Sequence, residues 1–263
     1  AQLVEDRSLV EMAPRLAVAY LVTMLPVTWL LLRPSPEAMG LLPDGDAPSS
    51  EEPQTDGPAV LPGTPFAVAV SSGFFRVLSI AFVLIMAAQV GALQHLFKLT
   101  KDRLDVDAAA LALVVVTSTS VAARIVGGLA AMRFKLMDLA LILVVVQAAG
   151  IAIIGVADGL ALILLGGVVL GSSMGNLLML HPLLLAEAFG VRDYSRIYGL
   201  GALLMVVGVG LGPFVVGVLR DVVDYRTAFL AMSGLAMVGL VVLRAAPASP
   251  PMTATAPAVA ASS

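Results

Sequence analysis

The run AAALALVVVTSTSVAARIVGGLAA, residues 108–131, holds a single charged side chain, Arg124, among 24 residues. About 20 predominantly apolar residues are enough to cross the hydrocarbon core of a bilayer as an α-helix. Similar runs occur at 14–33, 74–97, 138–157, 160–181, 197–219 and 227–243. No soluble core requires so many, so the sequence predicts an all-α polytopic membrane protein with about seven transmembrane helices.

The composition also indicates a protein that lies in a lipid bilayer. Hydrophobic residues make up 59% of the chain and charged residues only 13%, whereas globular domains carry about 25% charge. A net charge of −3 without a basic patch gives no basis for binding nucleic acid. Because the chain has no cysteine and only two histidines, disulfides and thiolate or histidine-based metal sites are excluded, and no cofactor or metal is expected.

The apolar runs divide the chain into four parts. The first run ends at residue 33, and residues 34–73 are rich in Pro, Gly, Ser, Asp and Glu, which predicts a solvated linker. Six closely spaced runs fill 74–243, where short connections predict antiparallel neighbours. Residues 244–263 have the composition of a disordered tail. Apart from Arg124, the two sides of the membrane would carry seven Lys and Arg residues each, so charge does not decide the orientation of the helices in the membrane.

Two sets of glycines predict where helices approach each other closely. Gly167, Gly171 and Gly175 recur every four residues in one run, and Gly208 and Gly212 have the same spacing in another. Small residues at this spacing form a ridge on which a neighbouring backbone can pack. The ridges indicate close packing, which is compatible with a sliding or rocking interface.

Arg124 is the residue that most needs an explanation. An arginine near the centre of a membrane helix costs about 2.5–3.5 kcal/mol on insertion scales. Thr117, Ser120 and Gly128 lie one or two turns away at helical spacing, so the four residues form one polar or small face. One interpretation is an anion-binding site, because guanidinium binds carboxylates in a bidentate manner. The other is snorkelling, since the roughly seven remaining residues span only about 10 Å.

Other polar residues in the apolar runs leave two interpretations open. Asn176 and Ser172, one turn apart, form hydrogen bonds across helices or line a pathway. His95, with Gln89 and Gln94 nearby, faces a cavity, or it is a structural or interfacial histidine. Runs 108–131 and 160–181 contain no carboxylate, which argues against a proton relay within them.

The pentapeptide GSSMG, residues 171–175, matches the G-x-S-x-G pattern of serine hydrolases, and His181 follows it. Ser173 and His181 are eight residues apart, which is about 12 Å along a helix and some 80° around it. The pattern also needs a strand-turn-helix elbow. An intramembrane hydrolase is therefore the least favoured hypothesis, and the protein is not expected to be an enzyme.

Four stretches resemble the major facilitator superfamily, and within it the monocarboxylate transporter and oxalate/formate antiporter-like branch. They are RPSPEAMGLLPDG (33–45), ARIVGGLAAMRF (123–134), AEAFGVRDYSRIYGLGALL (186–204) and GPFVVGVLRDVVDYRTAF (212–229). The second resembles helix eight with its G-G-L-x-A-D-R-F loop. The fourth resembles the G-P-x-x-x-G-x-x-x-D motif between helices eleven and twelve. Together they are spread over about 190 residues, in the order that the family shows.

The resemblance implies that the chain is a fragment running from helix six to helix twelve. Residues 1–33 would be the last helix of an N-terminal half that lacks about five helices, and 74–243 the six-helix C-terminal half. The linker and the tail would be cytoplasmic, in the inner or plasma membrane of the cell. Such proteins work by alternating access, with the substrate site near the midplane between two halves.

The resemblance assigns a role to Arg124, and the other candidate residues follow from their spacing in the apolar runs. Arg124 corresponds to a substrate-binding arginine of helix eight, and the substrate site is expected to include Ser120, Thr117, Asn176 and Gln89. Packing or gating roles fall to Gly128, Arg133, Gly171, Gly175, Gly212, Pro213 and Asp221.

Three departures from the family pattern narrow the expected substrate. Ser120 stands where proton-coupled monocarboxylate carriers have an acid, and 197–219 lacks the lysine of oxalate exchangers. Met132 replaces the aspartate of the loop motif, leaving Arg133. A single cationic residue in the expected substrate site predicts that the substrate is a small monoanion. The alternative is a membrane remnant or scaffold that does not transport.

Overall fold

The computed structural model describes residues 9–31 and 63–250 of the 263-residue chain. Residues 34–62 of the expected linker, with the stretch 33–45, and residues 251–263 of the expected tail lie outside these ranges. The chain divides into two compact units, residues 1–58 and 59–263, and each is described by itself.

The first unit contains α1, which runs from Leu9 to Leu31. It begins five residues before the expected start, so Pro14 and Pro26 both lie inside the helix. The side chains from Ala17 to Trp29 are exposed and form an apolar stretch shorter than the long spans of the second unit.

The second unit is a bundle of six long helices that follow a short one, α2 (Phe66–Ser71). The long helices are α3 (Gly73–Arg103), α4 (Val106–Ala131), α5 (Leu136–Val156), α6 (Leu160–Phe189), α7 (Tyr194–Val222) and α8 (Tyr225–Arg244). All six are long and apolar enough to cross a bilayer. Apart from one isolated bridge between Gly63 and Gly190, the described residues form no β-structure. These findings confirm an all-α polytopic membrane protein.

Burial is distributed unevenly among the six helices. Helix α3 packs against α7 and α8, while α6 packs against α4 and α5. In the apolar segment of α3, 61% of the residues are buried, against 22% in α4 and 17% in α7. Helices α4 and α7 therefore present most of their surface away from this bundle, towards lipid or towards another protein surface.

The glycine ridge on α7 sets the distance between α7 and α3. Side-chain carbons at Gly208 and Gly212 would collide with the carbonyl oxygens of Val83 and Ala87 on α3. A side-chain carbon at Gly91 would in turn lie 2.9 Å from the carbonyl of Gly212. The two backbones are in direct contact here, which only glycine at these positions allows.

Arg103 fastens the end of α3 to the end of α5. Its guanidinium donates hydrogen bonds to the carbonyl oxygens of Ile154 at 3.0 Å, Gly155 at 2.9 Å and Ala157 at 2.6 Å. The last carbonyls of a helix lack partners within the helix, and the helix dipole favours a cation there. The arginine satisfies both requirements for α5.

The last residues of the expected linker are ordered against the α6–α7 connection. The Thr64 N–H donates to the Phe189 carbonyl at 2.8 Å, and the Phe66 N–H donates to Asp193 Oδ2 at 2.9 Å. The Arg196 guanidinium lies 4.7 Å from the centre of the Phe66 ring. Residues 63–73 are thus held against the bundle, because their backbone donors find acceptors on it.

Candidate functional site

Arg124 projects from the exposed face of α4 and packs its stem on α6. Its Cγ is 2.9 Å from the position that a Cβ at Gly175 would occupy, and its Nε is closer still. Gly175 lies at the middle of α6, which runs from Leu160 to Phe189. Arg124 is only seven residues from the end of α4. Because α6 is longer, the Arg124 stem still lies beside the midpoint of α6.

The contacts of the α6 glycine ridge show that α4 and α6 run parallel. Gly167 and Gly171 face Val116, and Gly175, further along α6, faces Ser120 and Arg124. A Cβ at Gly171 would lie 2.6 Å from the Val116 carbonyl oxygen. The ridge holds α4 so close that the Arg124 stem lies directly over Gly175.

The other residues of the predicted α4 face occupy different surroundings. Ser120 is 4% exposed, and its Oγ is 2.9 Å from the Cβ position of Gly175. Thr117 is exposed, and its hydroxyl donates to the Leu113 carbonyl at 2.7 Å. Ser120 is thus part of the α4–α6 contact, while Thr117 and Arg124 lie at its open edge.

Asn176 links the two helices beside Arg124. Its Nδ2 donates to the Ala123 carbonyl at 3.1 Å and to the Ser172 carbonyl at 2.9 Å. A Cβ at Gly127 would collide with the Asn176 amide, so glycine makes room for it. The amide therefore cross-links α4 and α6, and a further contact with substrate stays a prediction.

Arg124 has no anionic partner among the described residues. Within 9–31 and 63–250 the ion pairs join Lys98 to Asp102, and Arg220 to Asp102 and Asp221. All of these lie near the end of the bundle where α3 and α7 terminate. The Arg124 guanidinium is always charged and lies beside the middle of α6. Because it has no carboxylate partner among the described residues, its donors are available to an external anion.

Gln89 and His95 belong to a different part of the bundle. Gln89 is buried in α3, with 2% of its surface exposed, whereas the Arg124 side chain packs on α6. His95 Nε2 lies 3.1 Å from the Pro213 carbonyl oxygen, which ties α3 to α7. His95 is therefore structural, and Pro213 supplies its partner.

The residues expected to pack or gate fall at three levels. Gly171, Gly175 and Gly212 lie in helix contacts within the bundle. Arg133 is exposed in the α4–α5 turn. Asp221 pairs with Arg220 at 2.8 Å near the end of α7, at the opposite end of the bundle from Arg133. The structure does not bring these two charged residues together.

The arrangement around GSSMG is that of a packed helix rather than of a hydrolase. Ser173 is fully buried, and its hydroxyl donates to the Leu170 carbonyl at 2.8 Å within α6. His181, on the same continuous helix, packs its ring 4.8 Å from that of Phe82. Eight residues of helix place the serine and the histidine about 12 Å apart, too far for proton transfer between them.

One feature near Arg124 could not be recognised from the sequence. A cavity of about 500 Å³ opens between the end of α4, the α4–α5 turn and α6. Its lining includes Gly128, Phe134, Met179 and Leu183, and we call it the α4–α6 groove. The i, i+4 spacing of Gly175, Met179 and Leu183 was visible, but which helix lay opposite them was not.

No protein-family model and no curated protein sequence matches the chain. Solved structures do match. A crystal structure of the E. coli fucose:proton symporter FucP superimposes with a TM-score of 0.57 at 18% identity, over 68% of this chain and 43% of that one. The human organic anion transporter MFSD10 superimposes with a TM-score of 0.58 at 16% identity, over 64% of this chain and 40% of that one.

The chain thus spans less than half the length of either solved structure. At these identities the likeness concerns the fold alone. Both neighbours are transporters of the major facilitator superfamily, the superfamily that the sequence stretches resemble. The described bundle therefore has the fold found in part of major facilitator superfamily transporters.

Proposed function

We propose that the protein takes part in secondary transport of a small organic anion, a monocarboxylate, by alternating access. The observation that carries this proposal is Arg124, a permanent cation without an anionic partner in the described residues, whose stem lies at the middle of α6. A carboxylate is the ligand whose two oxygens match the guanidinium donors. One of the solved structures that the chain matches is an organic anion transporter.

The fold supports alternating access with a second group of helices. The chain covers 43% and 40% of the two neighbours, and α4 and α7 are the least buried of the six long helices. In such transporters the substrate site lies between two halves that rock against each other. We infer that a second half covers α4 and α7, and that Arg124 faces the cavity between the halves.

The test is uptake of labelled monocarboxylates by cells that express the chain from its native gene. Arg124→Ala removes both charge and stem, whereas Arg124→Lys keeps a charge that can snorkel but loses the bidentate fork. Arg244→Ala is the matched control, because Arg244 is an exposed arginine at the end of α8. Uptake is normalised to the amount of protein in the membrane.

Both substitutions at Arg124 are expected to reduce uptake at least tenfold, while Arg244→Ala changes it less than twofold. If Arg124→Lys transports normally and Arg124→Ala merely fails to insert, the arginine only snorkels. Normal uptake by Arg124→Ala would reject the proposed site.

A further inference from the structure

The α4–α6 groove is lined mainly by apolar side chains, and its two charged residues lie in the α4–α5 turn and near the end of α6. Gly128, Phe134, Met179 and Leu183 contribute hydrocarbon to its walls, and Lys135 and Glu187 also belong to its lining. Both of these charged residues are exposed. Since they carry opposite charges, they add no net charge to the groove. Its volume of about 500 Å³ is in the range of pockets that hold small-molecule ligands.

The groove begins one helical turn from Arg124. On α4, Gly128 follows Arg124 by four residues, and on α6, Met179 follows Gly175 by four residues. Because α4 and α6 run parallel and Arg124 packs on Gly175, the layer of Gly128 and Met179 is the next one along both helices. One turn of helix is about 5.4 Å, which is the length of a short hydrocarbon chain.

We propose that the substrate is an amphipathic monocarboxylate, whose carboxylate binds Arg124 and whose apolar body lies in the α4–α6 groove. This rests on the proposed role of Arg124 in anion transport and names the substrate class. Acetate or formate on Arg124 would leave the groove empty. A second carboxylate in the groove would be desolvated against hydrocarbon without a net positive charge to compensate.

Gly128 offers a direct way to fill the groove. A Cβ at residue 128 would meet no atom within 4 Å, so a larger side chain can be placed there without displacing the bundle. Gly234 on α8 is also open, with no atom within 4 Å of its Cβ position, and it is not part of the groove lining. Gly128→Leu and Gly234→Leu thus form a matched pair.

The experiment measures inhibition of labelled hexanoate uptake by acetate, butyrate, hexanoate and octanoate in cells that express the native gene. For the unchanged protein, affinity should rise by up to about fourfold per methylene, the value for full burial of a CH₂ group. Gly128→Leu should weaken hexanoate and octanoate at least tenfold while changing acetate less than twofold. Gly234→Leu should leave the whole series as it is.

A series with no dependence on chain length, or one that Gly128→Leu does not alter, would overturn the proposal. The groove would be assigned to a lipid instead if affinity did not depend on chain length and if native mass spectrometry showed a phospholipid on the purified protein that Gly128→Leu loses. These failures differ from failure of the proposed function, in which Arg124→Ala would leave uptake of every acid unchanged.

Discussion

Replacing Gly175 by alanine should displace Arg124 without unfolding the bundle. The new Cβ would lie 2.9 Å from Arg124 Cγ and 2.9 Å from Ser120 Oγ, and closer still to Arg124 Nε. Carbon atoms in ordinary contact are about 3.5–4.0 Å apart, so the arginine stem has to shift by about 0.6–1 Å. The displaced Arg124 atoms belong to a long, exposed side chain, which can turn away at little cost, while the buried Ser120 hydroxyl has to rotate.

The expected result is a loss of transport with little loss of stability. Misplacing a reacting or binding group by about 1 Å can cost up to about 100-fold, so uptake should fall by about 10- to 100-fold. Alanine is favoured over glycine within a helix by about 0.8–1 kcal/mol, which offsets the strain of the contact. The free energy of unfolding should therefore change by less than about 1 kcal/mol.

Gly212→Ala is the contrasting substitution. Its Cβ would collide with the carbonyl oxygen of Ala87, and a backbone atom cannot turn away. We expect it to force α7 from α3 and to lower the melting temperature clearly.

Two assays separate the two effects. Uptake of labelled hexanoate reports on the site, and fluorescence-detected size-exclusion after heating reports on stability. Normal transport by Gly175→Ala would contradict this prediction, since the position of Arg124 would then not matter. Melting of Gly175→Ala as early as Gly212→Ala would also contradict it, because the contact would then be structural.

Three further substitutions test the packing, each by thermal melting. Arg103→Ala removes three hydrogen bonds to carbonyl oxygens at the end of α5 and should cost about 1.5–3 kcal/mol. Asp224 accepts a hydrogen bond from the Thr227 N–H at 2.7 Å, which holds the pKa of Asp224 below its ordinary value. The stability that this hydrogen bond contributes is present above the ordinary pKa of Asp and is lost as the pH falls below about 4. Asn also caps a helix but does not titrate, so the melting temperature of Asp224→Asn should depend less on pH in this range. His181→Phe should raise stability by about 1 kcal/mol, because both ring nitrogens are buried without a partner among residues 9–31 and 63–250.

Each of these expectations has its own contradicting result. Lys101→Ala, at an exposed site on the same turn as Arg103, should have no effect, and equal losses for both would exclude a capping role. An acid dependence unchanged by Asp224→Asn would assign it to other carboxylates. A lower melting temperature for His181→Phe would show that the imidazole ring forms a favourable interaction that phenylalanine cannot replace.

The long helices could be predicted from the sequence because hydropathy over about 20 residues fixes them almost alone. The runs 108–131 and 138–157 lie within or close to α4 and α5 as the structure has them. The first helix was harder to place, because Pro14 favours a start that the backbone of α1 does not use. A proline near the first turn is compatible with a helix that begins earlier.

The site was only partly predictable, because it depends on which helices are neighbours. The spacing of Ser120 and Arg124 indicates one face of α4, but only the structure places that face on Gly175. The α4–α6 groove and the three acceptors of Arg103 are formed by residues far apart in the chain. Neither hydropathy nor helical periodicity carries information about such pairs.

The most direct test of a water-filled carboxylate site at Arg124 is the labelling of Thr117→Cys by a membrane-impermeant maleimide. Thr117 is exposed two turns from Arg124 on the same face, and the 263-residue chain has no cysteine, so the unchanged protein provides the blank. We expect Thr117→Cys to be labelled in native membranes, and hexanoate to slow the labelling. In the Arg124→Ala background, hexanoate should have no effect on it. Labelling only after denaturation would contradict it, because Thr117 and Arg124 would then face lipid.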